Sequence, residues 1–197
     1  DAGDGIEATI TGPGLATSDG DVTVTNTGSV ISDKGYGILA ATNSADRVVV
    51  TTNNVVEGFI DGIKATNSGF DGSVKVSVEG GTVTQDGDAT GAGVRAQITN
   101  AADANVVQVV VKNASTINAN GDGVYADTVG AGKVSVTVEA GSTVNGGVGG
   151  GNSIGDGIEA HGLGGGDVFV SNAGTVTGDP GIIATAIGFG QVQVINT

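Results

Sequence analysis

Chemistry needs side chains that attack, move a proton or hold a charge, and this 197-residue chain has few of them. It has no Cys and one histidine, His161. Thiolate nucleophiles, disulfides and Cys- or His-rich metal sites are therefore excluded. His161 is the only base that a Ser-His-Asp triad could use, and neither Ser153 nor Ser171 sits in a Gly-x-Ser-x-Gly elbow. It follows a strand-like phrase and is expected at a turn, exposed and without a task. Cleavage of an acidic polysaccharide would need clustered carboxylates beside a basic residue on one face. The only arginines, Arg47 and Arg95, fall in different strands, and no carboxylate cluster is evident. No catalytic, cofactor-binding or metal-ligating residue is assigned, and the chain is read as not an enzyme.

Calcium is the remaining cofactor to weigh. Asp4, Asp61, Asp122 and Asp156 each precede a glycine at what would be one recurring corner, and oxygen-rich turns suit this cation. Tyr36, Ala92 and Pro180 occupy the same place in other repeats and interrupt the ladder. The expectation is no cofactor beyond weak calcium binding by these aspartates. Asp before Gly is read as turn chemistry, with Gly supplying positive φ. Runs such as Gly146 to Gly151 are not phosphate loops, since no helix follows to present its N-terminus.

The balance of 7 Lys and Arg against 21 Asp and Glu leaves a net charge of −14. That field disfavours nucleic acid and anionic membrane surfaces as partners. Glycine numbers 38, a share that without a strict period often means disorder, yet 38% of the residues are hydrophobic. Most of those are Val, Ala and Ile, which favour β structure over long amphipathic helices.

A repeat supplies that structure. The phrase Gly, Ile or Val, any residue, Ala begins at Gly5, Gly37, Gly62, Gly93, Gly123, Gly157 and Gly181, in steps of 32, 25, 31, 30, 34 and 24 residues. Each phrase is followed by a valine alternation, such as Val22-Thr23-Val24 or Val134-Ser135-Val136-Thr137-Val138, with the period of a strand. A third apolar position follows, at Val30, Val56, Val83, Ile117, Val144 and Val176. Three short strands per repeat, joined by turns that absorb the length differences, predict an all-β right-handed parallel β-helix of about seven coils. Insertions concentrate between Ala8 and Val22, between Ala96 and Val107, and in the Gly-rich stretch from Asn145 to Asp156. Residues 1–197 read as one β-helix domain, a segment of a longer repeat protein, because neither end resembles a cap.

The phrase Asp-Gly-Ile-x-Ala at Asp4 to Ala8, Asp61 to Ala65 and Asp156 to Ala160, with the following text at Val22 to Val30 and Val168 to Val176, resembles the passenger regions of bacterial autotransporters. His161-Gly162 also resembles a pair found in polygalacturonases, but no adjacent Asp-Asp accompanies it. The autotransporter resemblance implies a β-helix displayed on or shed from the bacterial cell surface, anchored to the outer membrane through a region absent from this sequence. It also implies an adhesin, a self-association surface or a rigid stalk. The partners expected are copies of itself, side by side or end to end, and a host or matrix surface. A self-assembling filament subunit and a polysaccharide-degrading β-helix enzyme are the alternatives.

Overall fold

The computed structural model describes residues 3–11, 20–87, 90–149 and 155–197. Pro13, Ser153 and the centre of the Gly-rich stretch from Asn145 to Asp156 lie outside them. The described residues form a right-handed parallel β-helix built from three sheets. The first sheet stacks Ile6–Ile10, Ile38–Thr42, Ile63–Asn67, Val94–Ile98, Val124–Thr128, Ile158–Gly162 and Ile182–Ala186. The second stacks Val22–Asn26, Val48–Thr52, Val74–Glu79, Val107–Lys112, Val134–Val138, Val168–Asn172 and Val192–Asn196. The third stacks Val30–Ser32, Val56–Gly58, Thr82–Gln85, Thr116–Ala119, Thr143–Asn145 and Thr175–Thr177. Six coils thus contribute three strands each and the seventh contributes two.

Register follows from the valine and isoleucine columns. Ile38, Ile63, Val94, Val124 and Ile158 pair in sequence across the first sheet, and Val48, Val74, Val107 and Val134 across the second. All of these are fully buried. A one-residue slip would turn each column to solvent, so the alternation specifies the pairing. Each fully buried Val or Ile contributes about 1.5–3 kcal/mol, which only stacking can realise because one coil has no interior.

The glycine that opens each of the first six coils is there for a reason other than the expected one. Neither Gly62 nor Gly123 has a positive φ; instead the next coil lies against it. A Cβ on Gly123 would sit 2.6 Å from the carbonyl oxygen of Gly157 and 2.6 Å from Val144 Cγ1. At Gly62 the same atom would meet Gly93 O at 2.6 Å and Val83 Cγ1 at 2.6 Å. Close coil spacing, not turn conformation, excludes a side chain there.

Candidate functional site

The outward side chains of the first sheet form two lateral rows. One runs Glu7, Leu39, Lys64, Arg95, Tyr125, Glu159 and Ile183; the other runs Thr9, Ala41, Thr66, Gln97, Asp127, His161 and Thr185. Parallel pairing brings each residue beside its counterpart one coil away, roughly 4.8 Å along the axis. Groups about 30 residues apart in sequence therefore become neighbours.

At the entrance to this sheet the corner aspartates share one task. Asp4 Oδ1 accepts the N–H of Tyr36 at 2.9 Å, Asp61 Oδ1 that of Ala92 at 2.7 Å, and Asp122 Oδ1 that of Asp156 at 3.0 Å. Each carboxylate thus ties its coil to the next. Asp156 differs, because the residue above it is Pro180, which has no N–H to donate.

Of the four aspartates singled out in the sequence, the structure brings Asp122 and Asp156 together, adds Glu159, and leaves Asp4 and Asp61 at other coils. Carboxylate oxygens of Asp122, Asp156 and Glu159 lie within 4.8 Å of one another. Burial raises the Asp122 carboxyl to about 6, helped by the charges of Glu159 and Asp156 and by a side-chain hydrogen bond with Glu159. Asp156 is also raised, first by burial and then by Glu159. Oxygens of this kind are hard-cation donors, although the Glu159 carboxyl is already shared with an imidazole, that of His161.

His161 is not the exposed turn residue expected. It lies in the strand Ile158–Gly162, its side chain is 16% exposed, and its Nε2 is 2.6 Å from Glu159 Oε1. Its ring meets Tyr125 edge-on with centroids 6.0 Å apart. Strand period explains the placement: His161 stands two residues after Glu159, on the same outer face. Next to it in register, Asp127 is buried and its carboxyl is raised by that burial, while Gln97 and the nearby His161 oppose the rise. Its Oδ1 has no hydrogen-bond partner. The Tyr125 hydroxyl is raised by burial and then by the charges of Asp127 and Glu159.

The basic groups of the face are already engaged. Arg95 Nε lies 3.2 Å from Asp61 Oδ2, and the guanidinium carbon sits 4.7 Å from the centre of the Tyr125 ring. Lys64 Nζ donates to the Tyr36 hydroxyl at 3.2 Å. Arg47 is paired with Asp21 at a distant corner, 2.5 Å away. The face therefore offers a carboxylate cluster with one histidine, and no arginine aimed at it. The sequence places Asp122 and Asp156 at a recurring corner and Glu159 in the Gly-Ile-x-Ala phrase that follows Asp156. It does not join the two, although the common step from aspartate to outward residue in each phrase contains the signal.

Comparison with protein-family models, with curated proteins and with solved structures finds no match.

Proposed function

We propose that this chain is a non-enzymatic extracellular β-helix from an autotransporter-like bacterial surface protein, serving as a stiff adhesive or self-associating stalk. The observation that supports this most is continuity. Among the described residues the first two sheets pass through all seven coils and the third through six, so the first six coils are hydrogen-bonded to one another along three sides and the seventh to the sixth along two. Six intervals of roughly 4.8 Å give a rod of about 29 Å from these coils. A stack held on three sides resists bending, and its outer rows present Thr, Asn, Gln and acidic side chains for contact. The test is sedimentation over a wide concentration range together with electron microscopy. Concentration-dependent association is expected. A strict monomer at high concentration, with and without calcium, overturns self-association. End-to-end fibres would favour the filament alternative over a side-by-side adhesin.

A second reading, cleavage of an acidic polysaccharide, draws on the carboxylate cluster at Asp122, Asp156 and Glu159. A carboxyl raised to about 6 beside two further carboxyl groups is the arrangement that acid–base hydrolysis uses. Depolymerisation of uronate polymers by the wild type, lost in Glu159→Gln, would establish it; inertness across a panel of such polymers removes it.

A further inference from the structure

The outer face of the third sheet differs from the other two. Strand period turns Val83, Ile117, Val144 and Val176 inward and the residues on either side of each outward. Unbroken pairing aligns Thr82, Thr116, Thr143 and Thr175 in one outward row, and Thr84, Asn118, Asn145 and Thr177 in a second. Over these four coils neither row carries a charge; Glu57 stands beside Thr84 and ends the second row one coil earlier. On the first sheet the outward rows hold Lys64, Arg95 and Glu159, and on the second they are interrupted by Lys75, Val110 and Phe169.

The side chains of these rows are held in place. Threonine is β-branched, so its χ1 is restricted and its hydroxyl and methyl keep set positions above the sheet. In the second row the Thr177 hydroxyl donates to Asn145 Oδ1 at 2.5 Å and Asn145 Nδ2 donates to Asn118 Oδ1 at 2.8 Å, which fixes the amides lengthwise. Among the described residues no such bond engages the hydroxyls of Thr82, Thr84, Thr116, Thr143 and Thr175, which are left to water. The array repeats about every 4.8 Å along the coil axis and about every 6.7 Å from one outward residue to the next along a strand. Both intervals lie close to the oxygen repeats on a prism face of hexagonal ice, the shorter along one lattice axis and the longer along the other.

We propose that this face is an ice-binding surface, its ligand the crystal lattice of water. Three features select that ligand. A lattice is recognised by a repeat, and the two rows supply one in both directions. Hydroxyls at these intervals hold water where the crystal would place it, and the threonine methyls beside them exclude water that would sit elsewhere. A charge would orient hydration water around itself, and over these four coils neither row carries one. A small soluble ligand spans one or two rungs and gains nothing from four in register. Three intervals give a patch only about 14 Å long, so the activity expected is restraint of crystal growth and not a deep lowering of the freezing point. This function goes beyond the stalk and does not depend on it.

The test uses the full 197-residue chain and follows grain growth in a frozen sucrose film held just below melting, with serum albumin at the same concentration as reference. The wild type at micromolar concentration keeps the grains small, and a fluorescently labelled chain is taken up into a growing ice hemisphere that excludes labelled albumin. Thr143→Tyr raises a ring above the centre of the array and loses both effects. Thr116→Lys, which puts a charge in the same row, loses them too. Thr137→Tyr, on the outer face of the second sheet, keeps them. Far-ultraviolet circular dichroism of each variant verifies that the β fold is retained. Grain growth no slower than with albumin, exclusion of the wild type from the hemisphere, both effects retained in a folded Thr143→Tyr or Thr116→Lys chain, or an equal loss in folded Thr137→Tyr each overturns the ice-binding face. None of these results bears on the stalk, which sedimentation and microscopy test separately.

Discussion

Asp61 and Asp122 occupy the same corner two coils apart and do the same backbone work, yet their surroundings have opposite sign. Asp61 caps the N–H of Ala92 and receives Arg95 from the coil above. Asp122 caps the N–H of Asp156 and receives Glu159 from the equivalent place. Arg95 and Glu159 belong to one lateral row, so a single register position decides whether the corner becomes an ion pair or a crowded set of carboxylates. The backbone can be indifferent to this choice because the pleat and the N–H donor are unchanged. The electrostatics cannot, since the Asp61 side chain is only 3% exposed and a charge there must be matched locally.

The largest effect should come from making the first corner resemble the second. Arg95→Glu leaves Asp61 buried against a like charge and is expected to destabilise the protein by about 3 kcal/mol at pH 7, measured by urea denaturation. A loss below about 0.5 kcal/mol would show that solvent reaches Asp61 after all. Next in size, Gly62→Ala and Gly123→Ala should each cost about 2 kcal/mol, and by similar amounts, because both corners hold the next coil equally close. Unequal losses would mean that the two corners differ in packing as well as in charge.

The reverse exchange, Glu159→Arg, should stabilise by about 1 kcal/mol at pH 7 and bring the Asp122 carboxyl back to the ordinary carboxylate range or below, as seen by NMR titration. The smallest effect concerns pH. Asp122 keeps its proton up to about 6 in the fold against an ordinary 3.8, so between these values the native state binds more protons than the unfolded chain. Its contribution to stability is therefore complete below about pH 4 and is lost as pH rises through 6, amounting to about 1 kcal/mol once its half-exposed position is discounted for solvent screening. Asp122→Asn should flatten that part of the stability curve and leave the remainder in place. A wild-type curve that rises from pH 4 to pH 6 with the same slope in Asp122→Asn would remove the crowding from the account.

Much of the fold was legible because its causes are local and periodic. Valines at alternate positions, repeated near every thirty residues, predict three strands per coil, and the inward columns from Ile38 to Ile158 follow directly. The recurring glycine was legible as a position but not as a reason, since its constraint comes from the carbonyl of the following coil. His161 was misplaced for a related cause. Its phrase continues for two residues beyond the recurring alanine, and only pairing with Asp127 shows that it still belongs to the strand.

Residue types and spacing by themselves determined the class of fold, the number of coils and which side chains face inward, because one coil can bury its apolar groups only against a copy of the same pattern. They also excluded thiolates and left a single histidine. Tertiary structure alone decided which carboxylates meet. Asp122, Asp156 and Glu159 are adjacent because parallel stacking brings equivalent positions of successive coils within about 5 Å, whatever their distance along the chain.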